Sequence, residues 1–285
     1  MNPPDTEQPP PPKASARQAA EAPRPVPEEF VEPLAAVAAR LGIFSDRQFL
    51  WYPVLPSTND VAGALAERGA REGCAVIANA QTAGRGRHGR AWASPPGAGL
   101  YLSAILRPPP HAVPLLTIAA GVAVAEGIQL ATGLDSRMKW PNDVYVGERK
   151  LAGVLAEAGS SSAGVQHVVL GIGINIMPAA YPPDVAARAT SIEAELGRGV
   201  DRGLLLAECL ASLAARYRQL QAGEGEAVTQ AWRARAGSTL GRSVEWDAAG
   251  IRYQGVVQDI DATGALLVST SEGVMRLFSG EVRWT

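Results

Sequence analysis

Residues Gln81–Trp92 read Q-T-A-G-R-G-R-H-G-R-A-W, and this stretch decides how the rest of the chain is interpreted. Its glycines, at positions 84, 86 and 89, alternate with arginines at positions 85, 87 and 90. The pattern has neither a helical nor a strand period, and it is too polar for a core. Glycine lets backbone N–H groups approach an anion closely, and arginine offers a planar fork of donors to carboxylate or phosphate. We therefore expect an anion-binding loop.

The sequence on either side places this loop at the end of a sheet. Two apolar runs of strand-like composition flank it, at residues 74–78 and 100–106. An isolated Gly/Arg segment also suits a solvated basic hairpin, and that alternative stays open on these residues alone. A segment for single-stranded nucleic acid is a third alternative. We expect repeated copies in such a segment, and this one occurs once.

The composition of the whole chain argues against several classes of protein. A net charge of −2 and a pI near 6.0 are unlike those of a general nucleic-acid binder. The chain has two cysteines, Cys74 and Cys209, in 285 residues. So few cysteines indicate a protein that lacks a disulfide framework and resides in a reducing compartment. No signal pattern opens the chain, and the most apolar run, residues 112–125, predicts a buried helix interrupted at Glu126. We expect a soluble, cytoplasmic protein without a membrane or nucleic-acid partner.

The residues that precede the loop predict a tail, a helix and a polar helix cap. Residues 1–27 contain nine prolines and no apolar periodicity, which predicts a disordered tail. Residues 28–42 have helical spacing, but one short helix does not make a helix-turn-helix module. A strand over 49–55 leads to the cap residues Ser57, Thr58 and Asn59, which open a helix over 61–68. The cap is either only structural or, with its free N–H groups, a site for a small polar ligand.

The residues that follow the loop predict alternating helices and strands, and then a small β-domain. Periodicity predicts helices over 113–130, 206–220 and 227–236, and strands over 138–140, 144–146, 150–157 and 165–176. Gly171 and Gly173 in the last of these strands mark a close backbone approach. Nearer the C-terminus, short strands between turns are predicted over 243–246, 251–260, 265–269 and 274–278.

Five motifs occur in order along the chain. They are S-T-N-D at 57–60, G-R-G-R-H-G-R-A-W at 84–92, K-W-P-N-D at 139–143, K-L-A-G at 150–153 and G-I-G-I-N at 171–175. Together they resemble the catalytic domain of biotin protein ligases (biotin–[acetyl-CoA-carboxylase] ligases), of the monofunctional type without a DNA-binding domain. The resemblance extends from Gln48 to the C-terminus. One departure is His88, at a position where many members of the family carry a further Arg or Lys.

This resemblance implies an α+β fold with a mixed sheet flanked by helices, of the class II synthetase-like biotin/lipoate ligase type. It also implies a small C-terminal SH3-like β-barrel. We accordingly expect a Pro/Ala-rich tail at residues 1–28, a catalytic domain at 29–236 and the barrel at 237–285.

The resemblance further implies a two-step reaction with ATP and biotin as substrates. Biotin and ATP form biotinyl-5′-AMP and pyrophosphate, and a lysine of a biotin carboxyl carrier protein then takes the biotin. That carrier belongs to acetyl-CoA carboxylase or a related carboxylase. Mg²⁺ is expected on the triphosphate, because the sequence has neither a Walker A pattern nor a metal-ligand motif. The resemblance also allows a homodimer.

Site residues follow from the same motifs, position by position. Arg87 and Lys150 are the implied catalytic residues, and with Arg85 they would neutralise the two reacting anions. Biotin would be bound by Ser57, Thr58, Asn59, Gln81, Gly84, Arg85, Gly86, Arg87, Lys150 and Gly153. ATP would be bound by Arg90, Trp92, Lys139, Asn142, Asp143 and Asn175.

Two other functions are weighed against this interpretation. Lipoate ligases and octanoyltransferases share the fold, but the former lack the G-R-G-R-x-G-R loop. The latter act through a cysteine thioester, for which neither Cys74 nor Cys209 is well placed. A biotin-sensing transcriptional repressor is the alternative from a different class, and it would need the DNA-binding module that residues 28–42 do not provide.

Overall fold

The structure of the chain, a computed structural model, describes residues 22–44, 49–162, 164–179, 181, 183–237, 239–248, 250–280 and 282–285. Residues 1–21 of the predicted tail and Gln48 lie outside the described residues. The end of the predicted tail has a defined place. Arg24 N donates a hydrogen bond to Trp51 O at 2.9 Å, and Val26 packs against the hydrophobic core.

The main sheet is mixed, as predicted, and has seven strands. They are Phe49–Tyr52 (β1), Ala75–Ala78 (β2), Gly99–Leu106 (β3), Arg137–Lys139 (β4), Asp143–Val146 (β5), Arg149–Ser161 (β6) and Gly164–Asn175 (β7). Their order across the sheet is β1-β2-β3-β7-β6-β5-β4. The β1–β2 pair is parallel, whereas the other five neighbouring pairs are antiparallel.

Eight α-helices accompany the strands in the described residues. They are Glu28–Ala36 (α1), Ala38–Leu41 (α2), Thr58–Glu67 (α3), Leu116–Thr132 (α4), Pro183–Ala186 (α5), Ile192–Leu196 (α6), Arg202–Gln221 (α7) and Gly225–Arg235 (α8). The predicted helix over 61–68 thus begins earlier, so that Thr58 and Asn59 lie in its first turn and Ser57 is the N-cap.

The two faces of the sheet carry separate cores, as the pleat of a strand requires. In β2, Ala75 and Ile77 belong to the hydrophobic cluster that contains the buried residues of α4 and α7, whereas Val76 and Ala78 belong to the cluster that contains Ala62 of α3. A strand buried on both faces is apolar throughout, and β2 reads A-V-I-A. Helix α3 therefore lies on the opposite face of the sheet from α4 and α7.

Helix α4 is the buried helix that the sequence predicts, although its apolar stretch is longer than expected. With the preceding 3₁₀ turn Pro110–Leu115 it forms one helical stretch, Pro110–Thr132, of 23 residues, within which an 18-residue window has a mean hydropathy of 1.7. That length and composition would suffice to cross a membrane. Most of α4 is instead buried within the protein, where it packs along α7. Burial within the protein accounts for its apolar composition.

The C-terminal residues form a five-stranded antiparallel sheet that confirms the predicted β-domain. Its strands are Ser243–Ala248 (β8), Ile251–Ile260 (β9), Leu266–Thr270 (β10), Gly273–Leu277 (β11) and Arg283–Trp284 (β12), in the order β11-β10-β9-β8-β12. Strand β12 was not predicted, because two residues carry no periodicity. Two buried hydrogen bonds join this sheet region to the main domain: Trp140 Nε1 donates to Gly264 O, and Thr239 Oγ1 donates to Met138 O, each at 2.8 Å.

The crossing of α4 and α7 gives a stability prediction. A Cβ atom at Gly127 would lie 2.6 Å from Cys209 Cα, which is backbone and cannot rotate away. We expect Gly127→Ala to lower the free energy of unfolding by about 1–3 kcal/mol, as overpacking does. The measurement is denaturant unfolding followed by circular dichroism.

The matched control for this prediction is Gly63 in α3, where a Cβ would meet nothing within 4 Å. Because glycine destabilises a helix interior, Gly63→Ala should raise the free energy of unfolding by roughly 0.5–1 kcal/mol. Equal effects of the two substitutions would contradict the described crossing.

Candidate functional site

A floor of glycines lies at the centre of the main sheet. Gly153 in β6 faces Gly173 in β7, and Tyr101 of β3 and Asp143 of β5 continue this row on either side. Two residues before Gly173 in β7, Gly171 is paired with Ser103 of β3. Because side chains of alternate residues point to the same face, these three glycines leave one area of the sheet bare.

The indole of Trp92 lies on this floor. A Cβ atom at Gly173 would be 2.5 Å from the indole Nε1, and one at Gly153 would be 3.2 Å from the same ring system. Trp92 Nε1 is buried and has no hydrogen-bond partner among the described residues. The glycines therefore let an aromatic ring lie flat against the sheet, and they leave a buried donor at its edge.

The N-terminus of α3 presents a buried hydrogen-bonding cluster beside the floor. Thr58 N and Oγ1 lie 2.8 and 3.1 Å from Gln81 Oε1, and Gln81 Nε2 donates to Ser94 Oγ at 2.8 Å. Ser103 Oγ lies 2.7 Å from Thr58 Oγ1. The Ser57 side chain is buried at the N-cap but makes no capping hydrogen bond. A purely structural cap would use that hydroxyl, so its position favours a ligand.

Arg85 occupies a different place from the one expected. Its guanidinium forms ion pairs with Asp60 and with Glu157, whose Oε2 is 3.0 Å from Nη2. Glu157 Oε2 also accepts a hydrogen bond from Asn59 Nδ2 at 2.5 Å. Two carboxylates therefore surround the Arg85 side chain, which the motifs predict to help neutralise the reacting anions.

The other predicted cations meet at the opposite side of Trp92. Lys150 Nζ lies 2.7 Å from Asp143 Oδ1 and 5.3 Å from the centroid of the Trp92 ring. Arg87 Nη1 donates to Asn142 Oδ1 at 3.1 Å, and Asn142 is held in turn by a bond from its Nδ2 to a backbone carbonyl of β6. The structure thus brings Arg87, Asn142, Asp143 and Lys150 together, as the motifs predict.

Three predicted nucleotide residues lie in other surroundings. Lys139 Nζ lies over the Trp284 ring, 4.3 Å from its centroid, so that it contacts the C-terminal sheet. Asn175 Nδ2 donates to Thr190 O at 2.9 Å. Arg90 is exposed next to the 3₁₀ turn Arg87–Gly89. Nothing in these contacts directs the three side chains toward one ligand group.

The two remaining predicted glycines shape the loop itself. Gly84 is buried, and a Cβ there would lie 2.5 Å from Trp92 O. Gly86 N donates to Arg90 O at 2.7 Å, and Trp92 N donates to Gly84 O at 2.8 Å. The segment is therefore a short hairpin, as the solvated-hairpin alternative also predicted. Its ends, however, pack into the site.

Four polar residues of the site were not predicted: Asp60, Ser94, Ser103 and Glu157. The alternation of β6 carries a signal for one of them, because residue 157 falls on the same face as Gly153. Asp60 belongs to the S-T-N-D motif, although its pairing with Arg85 is not visible there. Ser94 and Ser103 approach the site through contacts between separate elements, which no local pattern contains.

The described residues offer neither a reactive thiol nor a metal site. Cys74 and Cys209 are both buried, and burial raises the pKa of each thiol. Since the thiolate is the nucleophile, a thioester mechanism is disfavoured. No group of three or more His, Cys, Asp or Glu residues in this part of the chain is placed to hold a metal ion.

Comparison with known proteins identifies similar chains. The family model "Biotin/lipoate A/B protein ligase family" matches residues 51–175, and "Biotin protein ligase C terminal domain" matches residues 239–282. The chain is 34% identical to the bifunctional ligase/repressor BirA of Bacillus subtilis, over 83% of this chain and 74% of that protein. It is 36% identical to the biotin–[acetyl-CoA-carboxylase] ligase of Paracoccus denitrificans, over 73% and 88%.

A solved structure agrees with the sequence comparisons. The biotin protein ligase of Aquifex aeolicus, in complex with biotin and ATP, superposes with a TM-score of 0.73 at 28% identity. The superposition covers 84% of this chain and 99% of that one.

The packing of Trp92 on the glycine floor predicts how a side chain at Gly173 would change stability. Gly173→Ala places a methyl group where the indole lies, and we expect it to lower the free energy of unfolding by about 1–3 kcal/mol. In a Trp92→Ala background the same substitution should have little effect, because the clashing ring is gone. Denaturant unfolding of the parent, the two single variants and the double variant measures the coupling free energy between the two positions. An equal loss in both backgrounds would show that the indole does not lie on Gly173.

Proposed function

The chain belongs to the biotin/lipoate A/B protein ligase family, and from that membership we propose a biotin ligase whose site holds the neutral and the charged ends of biotin separately. The chain is a biotin protein ligase, and its substrates are biotin and ATP. The observation that carries the proposal is the division of the site by Trp92. Neutral hydrogen-bonding groups lie at the N-terminus of α3, and the cations Arg87 and Lys150 lie near Asp143.

The neutral side of the site suits the ring of biotin. Ser57, Thr58 and Gln81 supply donors and acceptors from a buried helix start and a half-buried amide, without a net charge. A ureido ring presents both N–H groups and a carbonyl oxygen, so it can replace each of these hydrogen bonds. Asn59 lies against Gly171 and closes this side of the cavity.

The charged side suits the first chemical step. A biotin carboxylate oxygen attacks the α-phosphorus of ATP, the bond to the β-phosphate oxygen breaks, and pyrophosphate leaves. Both reactants are anionic, and their negative charges repel each other. Arg87, which is held by Asn142, and Lys150, which is held by Asp143, would offset this repulsion. Trp92 lies between the two sides and would form a wall for the adenine or for the acyl chain.

Magnesium would enter this site with ATP. Asp143 is the carboxylate nearest the cations, and Lys150 already pairs with it, so the described residues do not form a cage for the metal. A Mg²⁺ ion on the triphosphate, kept there by phosphate oxygens and water, would screen phosphate charge.

The second step transfers biotin to a carrier protein. The amine of a carrier lysine attacks the acyl carbon of biotinyl-5′-AMP, AMP leaves, and the ammonium proton passes to solvent. We propose a biotin carboxyl carrier protein as the acceptor, as the name of the Paracoccus relative suggests. The two buried cysteines and the net charge of −2 support a cytoplasmic protein for which a nucleic-acid partner is not required.

The neutral side of the site predicts which carboxylic acid the protein accepts as a substrate. A site built for hydrogen bonds rejects an analogue that lacks them, because its own buried groups are left unpaired. ATP-dependent pyrophosphate release should therefore occur with biotin and be absent with lipoate or octanoate. Comparable rates with all three acids would exclude a biotin-specific site.

The second prediction concerns Lys150. If its ammonium stabilises charge at the reacting groups, Lys150→Ala should lower the rate of adenylate formation by roughly 10²–10³, as for loss of one preorganised donor. The measurement is single-turnover formation of biotinyl-5′-AMP, with a thermal melt to verify folding.

Arg149→Ala is the matched control, because this neighbouring residue of β6 is exposed and pairs with Glu195. It should leave the rate unchanged. An unchanged rate for Lys150→Ala as well would remove this lysine from the mechanism.

A further inference from the structure

Two acidic residues at the neutral side of the site have no role in the reaction described above. Asp60 lies in the first turn of α3, and Glu157 lies in β6. Both form ion pairs with Arg85, and the Glu157 oxygens lie 3.0 and 3.1 Å from Arg85 Nη2. The three residues, called the Arg85 clamp below, join α3, the Gly/Arg loop and β6 at one point.

The clamp fixes the entry of the loop. Arg85 stands between Gly84 and Gly86, which have no side chains, and it pairs through its backbone with Ala91. Its guanidinium is therefore the side-chain anchor at this end of the loop. Because Arg85 lies next to the buried Gly84, a shift of the anchor would move the loop backbone where it packs against Trp92 and Ser94.

Glu157 also fixes a residue of the cavity wall. Its Oε2 accepts a hydrogen bond from Asn59 Nδ2, and Asn59 Oδ1 lies 2.6 Å from Ser103 Oγ. These two contacts orient the Asn59 amide, which is buried over Gly171. A single carboxylate thus holds both the loop and the amide that border the neutral side.

The charges of the clamp argue against a role for Arg85 in anion binding. Two carboxylates face one guanidinium, so the Arg85 clamp carries one net negative charge beside the neutral hydrogen-bonding groups of α3. A carboxylate ligand would be repelled from it and attracted toward Lys150 on the other side of Trp92. Exposed ion pairs are worth little in general, but Glu157 is shared between a cation and a buried amide.

We propose that Glu157, together with Asp60, is a positioning residue for biotin: it holds Arg85 and Asn59 in place, while Arg85 itself binds no ligand charge. This inference rests on the proposed function. Its consequence is a division among the cations, in which Arg87 and Lys150 act on charge and Arg85 acts on the shape of the cavity.

The test uses Glu157→Ala, Arg85→Ala and the double variant, with biotin binding measured by calorimetry without ATP. Loss of a hydrogen-bonded charged partner should raise the Kd of biotin about 10- to 100-fold. Arg85→Ala should have a similar effect, and the double variant should bind no worse than the weaker single one. Glu157→Gln, which keeps an acceptor for Asn59, should restore part of the affinity. The KM of ATP should stay at the parent value throughout.

The opposite sign would overturn the proposal. If Glu157 only masked an anion-binding Arg85, then Glu157→Ala would free the guanidinium and bind biotin more tightly. Unchanged affinity in the variants would also overturn it. The control is Asp247→Asn, which removes the partner of Arg252 and Arg283 in the C-terminal sheet and should leave biotin binding as in the parent.

A readout without ligand separates this inference from the proposed function. Trypsin cleavage after Arg87 should be faster in Glu157→Ala than in the parent, because the loop has lost its anchor. If the parent chain does not bind biotin, the proposed function fails and the inference fails with it. If the parent binds biotin and the variants bind it as tightly as the parent does, the inference alone fails; a cleavage rate equal to that of the parent would contradict the anchoring of the loop by Glu157.

Discussion

The site depends on the close approach that three glycines allow at the centre of the main sheet. A Cβ at Gly171 would lie 2.2 Å from Asn59 Oδ1, and one at Gly173 would lie 2.5 Å from the Trp92 indole. Both the first turn of α3 and the end of the Gly/Arg loop therefore rest directly on backbone. Any larger residue would lift one of them, and the distance between the neutral and the charged sides would change. The three glycines thus set how closely α3 and the end of the loop approach the sheet.

Contacts within the protein hold the polar groups around this floor. Thr58, Gln81 and Ser94 share hydrogen bonds, and Asp143 and Asn142 hold Lys150 and Arg87. Such preorganisation lowers the free energy needed to order the site on binding. In the proposed reaction the two anions would meet cations whose positions are set by the fold, and such electrostatic stabilisation is usually the largest contribution that a protein makes to a step of this kind.

Much of this arrangement follows from the sequence, because the motifs sit at strand ends and at a helix start. The helix cap at Ser57, the strands around the loop and the glycines of β7 are all visible as local patterns. The role of Arg85 is not, since its partner Glu157 is 72 residues away and approaches it only through sheet pairing. The contact of Lys139 with Trp284 was missed for the same reason, as it joins the K-W-P-N-D turn to the last strand. Local periodicity indicates which side chains are buried and which face of a helix or strand they occupy. The partner of a long charged side chain depends instead on which helices, strands and loops come together in the fold.

The central claim is that this site activates biotin with ATP and passes it to a protein lysine. Its most direct test is intact-mass spectrometry of a biotin carboxyl carrier domain after incubation with the chain, ATP and biotin. The account predicts a carrier that gains one biotinyl group on a single lysine, and only when ATP and biotin are both present. A carrier of unchanged mass, or the same gain without ATP, would contradict it.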